Sequence, residues 1–450
     1  KYKLIKHLTI LLHYELYTNV YMIKIMKTGL FWIIGFMLLA NSLSASYILL
    51  PMDYKAQKNH LKAYGMTYWV INQGVEAYWL LNYRGGSFAF YHTTGFEKEC
   101  KVRGVSYEVI PDAEFIRIRE LIADPETNQE AIKLEKAPKI AVYTPDYNEK
   151  GSRIQPWDDA VTLVLTYAEI PYETVYDRAV LEGKLAEYDW LHLHHEDFTG
   201  QYGKFYASNG SQPWYKINQQ KSEEQAISMG YTKVSQVKLA VAKKIKEFVE
   251  GGGFMFAMCS ATDTYDIALA AEGLDICDKV YDGDGYDINA QSKLDYSKTF
   301  AFKDFELILN PMVYEHSDID NKDRGIDVEA DYFNLFDFSA KWDPIPSMLC
   351  QNHTQTIKGF MGQSTSFKRS LIKSEVLVMG ETKAAGEARY LHGTFGYGTW
   401  TFYGGHDPED YRHYVNDPET DLSLHPNSPG YRLILNNILF PAAEKKKRKT

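Results

Sequence analysis

Cys259 ends an apolar run, Phe254-Met-Phe-Ala-Met258. Small and polar residues follow it, Ser260-Ala-Thr-Asp263, and then a helical pattern from Tyr265 to Ala271. This order predicts strand, sharp turn and helix, with the thiol at the turn. A side chain there projects from the carboxyl edge of a sheet, where open α/β folds place their ligands. A thiolate at that edge is a nucleophile for acyl carbon, and Ser260 beside it is a candidate binding residue. A second group is His192-Leu-His194-His195-Glu196-Asp197. Strand alternation sets His192 and His194 on one face and leaves His195, Glu196 and Asp197 in the loop at the same edge. Converging with His406 and Asp407, these imidazoles and carboxylates have the donors for a transition metal, so a metal-assisted hydrolase is one reading. No His-Glu-x-x-His spacing supports it, and no metal or other cofactor is assigned. Asp282-Gly-Asp-Gly-Tyr-Asp-Ile-Asn289 reads as an acidic turn. An EF-hand loop needs glycine where Asp287 stands and glutamate where Lys293 stands.

The elements that must position these residues fall into two regions. Residues 47–135 read as a small α+β domain. Tyr47–Pro51, Thr67–Ile71, Glu76–Leu81 and Ser87–Tyr91 are expected as strands, Gln57–Tyr64 as a short helix, and Asn72-Gln-Gly74 as a hairpin turn. From Lys139 to 441 strands and helices alternate. Strands are expected at Lys139–Thr144, Tyr172–Tyr176, Asp189–His194 and Phe254–Met258. Helices are expected at Asp158–Ala168, Ala179–Ala186 and Val234–Val249. That rhythm predicts an α/β fold with a parallel, doubly wound sheet. Stretches 198–232 and 311–357 interrupt it as long aromatic insertions of the kind that form lids or binding loops. Further strands are expected at Glu375–Met379 and His392–Tyr403, and a last helix at Gly430–Leu439.

The 450 residues suffice for two or three domains of roughly 150 each, and 45% hydrophobic with 24% charged content is a globular balance. A net charge of −10 argues against a general nucleic-acid binder. The basic tail within 442–450 reads as solvated. Met26-Lys-Thr, the apolar stretch Leu30–Ala40 and the small residues Ser42–Ser46 have the parts of a secretory signal peptide over 26–45, behind an upstream extension, 1–25. A periplasmic or extracellular location follows, with no stable membrane span after cleavage. Four cysteines in an exported chain permit disulfides, and a Cys259–Cys277 bridge would remove the nucleophile. With 34 tyrosines, aromatic loops over acidic sequence suit a small molecule, a glycan or a protein partner.

Residues 139–275 resemble a class I glutamine amidotransferase-like domain, a flavodoxin-like sheet, and within that group the ThuA-like exported bacterial domains. The helix–Gly251-Gly-Gly253–strand–Cys259 unit carries this resemblance. So do Gly396-Tyr-Gly-Thr-Trp-Thr-Phe-Tyr-Gly-Gly-His-Asp407 and the ending Ser428-Pro-Gly-Tyr-Arg-Leu-Ile-Leu-Asn-Asn-Ile-Leu-Phe440. The mature chain is also similar to exported Bacteroidota proteins labelled asparagine synthetase B. Enzymes with that activity carry an N-terminal cysteine nucleophile and a Ser-Gly-Gly-x-Asp-Ser loop, and this sequence has neither. The amidotransferase resemblance implies Cys259 as nucleophile, His406 as base and Glu409 as orienting acid. His406-Asp-Pro-Glu409 matches the family's His-Pro-Glu signature with one extra residue. The family's nucleophile is flanked by small residues, usually glycine. Met258 stands there instead, so glutaminase activity is not expected. The readings left standing are a ligand- or partner-binding protein built around Cys259, His194, His195, Glu196 and His406, an amidase using Cys259, and a metal-dependent hydrolase.

Overall fold

The computed structural model describes residues 22, 24, 46–145, 158–320, 327–343, 346–412, 414 and 417–445. The expected signal peptide at 26–45, nearly all of the 1–25 extension and residues 446–450 of the basic tail lie outside the described residues. No described helix is long and apolar enough to cross a membrane.

The N-terminal region is a five-stranded antiparallel sheet. Its strands are β1 (Ser46–Leu50), β2 (Ala77–Leu81), β3 (Ser87–Tyr91), β4 (Glu108–Pro111) and β5 (Glu130–Leu134), in the order β4-β1-β3-β2-β5. Alternation along β1 sends Ile48 and Leu50 to the face under helix α1 (His60–Asn72). It sends Tyr47 and Leu49 to the face under α3 (Asp112–Ala123), while α2 (Thr94–Arg103) flanks α1. The strand expected at Thr67–Ile71 is instead the second half of α1, and Asn72-Gln-Gly74 is a helix-to-strand turn. Asn59 caps α1 by accepting the Lys62 N–H, and ten of its thirteen residues are buried. A helix buried nearly all round shows no 3.6-residue stripe, so its aromatic and β-branched residues mimic a strand.

The second sheet runs β11-β10-β13-β14-β15-β9-β8-β6-β7, with β12 beside β14. Its strands are β6 (Ile140–Tyr143), β7 (Glu173–Val175), β8 (Trp190–Leu193), β9 (Phe254–Met258), β10 (Tyr332–Leu335), β11 (Thr356–Lys358), β12 (Phe367–Lys368), β13 (Leu377–Thr382), β14 (Glu387–Phe395) and β15 (Gly398–Tyr403). The expected parallel sheet is parallel only from β15 through β9, β8 and β6 to β7, and antiparallel from β15 to β11. The single strand expected over His392–Tyr403 is a hairpin of β14 and β15. Gly396 turns it with φ +59°, where a Cβ would also strike the Glu250 carbonyl oxygen at 2.6 Å. Helices cover both faces of the parallel half. β9 sends Phe254, Phe256 and Met258 toward α4 (Ala160–Tyr167) and α8 (Pro429–Leu439). It sends Met255 and Ala257 toward α6 (Val234–Glu250) and α7 (Ser260–Ala270). The 198–232 insertion contains α5 (Pro213–Ser228), and the 311–357 insertion supplies β10 and most of β11.

The two sheets share one core, sealed by α8. Arg432 donates to the Tyr64 hydroxyl (3.1 Å) and the Met52 carbonyl (3.3 Å), and the rings of His60 and His353 stack beside it at 4.5 Å. Burial, then the Arg432 charge, lowers His60 to about 2 and His353 to about 3; burial lowers His392 to about 4. Unfolded histidine titrates near 6.5, so as pH falls below that value the unfolded chain takes up protons that the folded chain refuses. The stabilisation is complete above about pH 6.5 and is lost toward the folded values, at up to ~1.4 kcal/mol per pH unit per histidine. Urea midpoints should fall clearly from pH 7 to pH 5, and less steeply in His353→Asn. Equal midpoints at the two pH values would contradict this coupling.

Candidate functional site at the carboxyl edge

Cys259 sits between β9 and α7 with φ +50° and ψ −138°, a conformation that costs a non-glycine residue of order 1–3 kcal/mol. The neighbouring backbone holds it there. Its N–H donates to Gly405 O (3.1 Å), the Ala261 N–H donates to His194 O (3.0 Å), and its own carbonyl accepts the Thr262 N–H (3.2 Å) and hydroxyl (2.7 Å). This is the expected strand–turn–helix elbow. The bulk of Met258 does not crowd the turn, because that side chain packs into the core on the α4–α8 face. Cys259 is 4% exposed, and its sulfur accepts the Gln363 N–H at 3.1 Å. All four cysteines are free thiols, so Cys259 and Cys277 are not bridged. Cys277 donates instead to the Thr199 carbonyl at 3.4 Å.

The histidines expected at this edge gather beside the thiol. The rings of His194 and His195 stack at 3.9 Å, and His406 lies 4.8 and 4.9 Å from them. One nitrogen of His194, one of His195 and the Cys259 sulfur lie within 4.8 Å of one another. The partners of the rings fix their tautomers. His195 Nε2 and His406 Nε2 (3.2 Å) both meet the Asp158 carbonyl, which can only accept, so both rings carry hydrogen on Nε2. His194 Nδ1 meets Asp159 Oδ2 at 3.2 Å, as does His192 Nε2. Burial alone would raise the Asp159 carboxyl, but the two imidazoles outweigh it and hold the group well below the usual carboxylate range. An ionised Asp159 beside Nδ1 favours hydrogen on that nitrogen, which leaves Nε2 as the ring's basic nitrogen. Asp159 also caps α4 by accepting the Thr162 N–H, so one carboxylate sets both the helix start and the histidine.

The other expected residues are placed differently. Glu409 accepts from the Tyr411 hydroxyl (2.9 Å) and pairs with His425 Nδ1 (3.1 Å), so its histidine partner is His425. Asp407 accepts the Glu409 N–H at 2.8 Å and shapes that turn. Ser260 is buried at the first position of α7. Glu196 turns toward the opposite face of the sheet. There Lys238 donates to it (3.3 Å), to Asp177 (3.1 Å) and to the hydroxyls of Tyr143 and Tyr176 (3.0 Å each). Burial raises the Glu196 carboxyl, and Lys238 works against that rise. Removing the ammonium would strand two buried carboxylates. Lys238→Met should therefore lose ~3–5 kcal/mol in urea denaturation, with recovery when Asp177→Asn and Glu196→Gln are added. A loss under ~1 kcal/mol would mean the cluster is hydrated. The acidic turn at 282–289 is satisfied by lysines: Lys233 pairs with Asp282 at 3.0 Å and with Asp284, and Lys293 pairs with Asp287 at 2.6 Å.

Sequence reasoning missed Asp158, Asp159 and Gln363 as site residues, and it placed Asp197 in the loop after β8 without the contacts that wind that loop. Asp197 accepts the N–H groups of Thr199 (2.7 Å), Gln201 (2.9 Å) and Gly203 (2.9 Å) and pairs with His316 at 3.3 Å. It thereby winds Tyr202, Gly203 and Lys204 through three successive left-handed conformations. The Gln363 side chain donates to Gly203 O (2.6 Å) and so ties this loop to the residue whose N–H meets the sulfur. Tyr314 lies near the thiol, and burial, then the Cys259 charge, pushes its hydroxyl up. A larger cavity of about 990 Å³, lined in part by Phe248, Gly252, Tyr397 and Phe440, opens at the amino edge of the sheet, away from this chemistry.

No protein-family model matches the chain, and no curated protein matches it. Among solved structures, it is similar to cytoplasmic protein STM3548 from Salmonella typhimurium, at 9% identity and TM-score 0.32, over 68% of this chain and 100% of that one. Cytoplasmic protein STM1381 from Salmonella typhimurium LT2 aligns at 11% identity and TM-score 0.30, over 68% of this chain and 100% of its own. Gan42B, a GH42 beta-galactosidase, aligns at 10% identity and TM-score 0.24, over 60% of this chain and 28% of its own. Overlaps this loose carry no argument about activity, so the functional reading rests on the carboxyl edge itself.

Proposed function

We propose that this is an exported hydrolase of small amides or esters, on a flavodoxin-like, glutamine amidotransferase-like sheet, with Cys259 as nucleophile, His194 as base and Asp159 as orienting acid. The observation that carries the reading is the elbow. A non-glycine residue is held at φ +50° on a strand-to-helix turn, with its sulfur and two imidazole nitrogens within 4.8 Å of one another. His194 Nε2 takes the thiol proton, and the resulting imidazolium is stabilised through Nδ1–H by ionised Asp159. The thiolate attacks the carbonyl carbon. The Ser260 N–H, at the positive end of α7, faces the negative charge that develops on oxygen. The imidazolium then protonates the leaving amine or alcohol, and water cleaves the thioester by the reverse sequence. His406 and His195 wall the site, and Glu409 takes no part. Supporting the choice of acid, Asp159 Oδ2 lies 3.2 Å from Nδ1 of the site's His194, whereas Glu409 pairs with His425.

The test is a panel of chromogenic anilides, esters and thioesters assayed with chelator-treated protein, alongside iodoacetamide labelling of the folded chain. Turnover of at least one class, lost in proportion to alkylation of Cys259, supports the reading. No turnover, together with a Cys259 that alkylates only after unfolding, overturns it.

A further inference from the structure

Among the described residues, three clusters bring metal-ligating atoms within 4.8 Å of one another. In the Asp275, Cys277 and Asp282 cluster, Lys233 already supplies the positive charge, at 2.5 Å from Asp275 and 3.0 Å from Asp282. In the Asp159, His192 and His194 cluster, the carboxylate is already paired with both rings at 3.2 Å. The third cluster, His194, His195 and Cys259, differs in kind. Each of its imidazoles is oriented by an acceptor at one nitrogen, Asp159 for His194 Nδ1 and the Asp158 carbonyl for His195 Nε2. A neutral imidazole oriented through one nitrogen binds a metal through the other. Carboxylate or carbonyl behind the ring and lone pair in front is how proteins orient histidine on a metal. One sulfur with two imidazole nitrogens selects zinc-like, thiophilic ions over magnesium or calcium.

We infer that His194, His195 and Cys259 bind a thiophilic divalent cation of the Zn²⁺ class, and that this ion caps the nucleophile and holds the enzyme inactive. The inhibitory half rests on the hydrolytic reading; the binding half does not. Tetrahedral zinc, with bonds of about 2.3 Å to sulfur and 2.0–2.1 Å to nitrogen, needs donors about 3.5 Å apart. Side-chain rotations that shorten separations of up to 4.8 Å by at most about 1.3 Å bring the three groups into that range. Binding exchanges the Cys259 thiol proton for the ion. The proton goes to solvent, both imidazoles bind neutral, and water completes the fourth position. A sulfur lone pair committed to zinc cannot attack a carbonyl.

Chelator-stripped protein titrated with Co²⁺ tests the site. The expected result is one ion per chain with thiolate-to-cobalt charge-transfer absorption, displaced by Zn²⁺. Cys259→Ser should lose that absorption while keeping its circular dichroism and melting temperature. His195→Ala should weaken Co²⁺ binding at least about tenfold. An absent band, or one that survives Cys259→Ser, overturns the site. If the band forms but metal-free protein hydrolyses none of the panel, the site stands and the inhibitory role falls with the hydrolytic reading. If metal-free protein is active and stoichiometric Zn²⁺ leaves the rate unchanged, the inhibitory role is wrong while the hydrolase stands.

Discussion

Cys259→Ser should lower turnover by about a thousandfold or more, while the unfolding free energy stays within ~1 kcal/mol of the wild type. The exchange preserves the side-chain outline but replaces a thiol by a hydroxyl that ionises far less readily. The Gln363 N–H that meets the sulfur at 3.1 Å can still donate to oxygen. Activity and stability therefore separate at this residue. Cys259→Ala sharpens the contrast, because it removes the nucleophile and leaves the strained backbone in place. A serine variant with more than a tenth of wild-type activity would show that the thiol is not the attacking group.

Asp159→Asn should cost a further 10²–10⁴-fold in turnover, judged by what loss of an orienting carboxylate does to other histidine bases. Asparagine keeps the size of the side chain and its ability to cap α4, but its amide offers hydrogens where the charged Oδ2 now pairs with two rings. His194 is then free to adopt the tautomer with hydrogen on Nε2, the nitrogen that must take the thiol proton. The comparison with the histidines is decisive. His194→Ala should match the Asp159→Asn loss. Glu409→Gln should change the rate less than about threefold, because that carboxylate serves His425 and Tyr411. The reverse order would return the base and acid roles to His406 and Glu409.

The nucleophile turn was legible because a strand, a break and a helix leave different periodicities in the chain, and Cys259 stands where they meet. The histidines of 194–195 were legible for the same reason, being attached to the end of a short, clear strand. Glu196 adjoins them in sequence but faces Lys238 on the other side of the sheet, since a loop residue is not bound by strand alternation. Asp159 was visible only as the start of a helix. Its contact with β8 depends on which strands are neighbours, and that order is set by tertiary packing. Gln363 carried no local signal at all, since its contribution to the sulfur is a backbone N–H available to almost any residue. The Thr67–Ile71 error has a related origin. A helix packed between a sheet and α8 hides the stripe by which amphipathic helices are recognised. The hairpin of β14 and β15 was signalled by Gly396 and Gly398, but the aromatic and β-branched residues on both sides read as one strand.

The central claim is that the Cys259 sulfur forms a covalent bond to the acyl group of its substrate. Metal-free protein mixed with an activated ester, quenched in acid within the first turnover and digested for mass spectrometry, tests it directly. The account predicts one added acyl group on the peptide containing Cys259, removed by hydroxylamine and absent from Cys259→Ser. An active enzyme whose Cys259 peptide stays unmodified under single-turnover conditions, or whose acyl group sits on another residue, would contradict it.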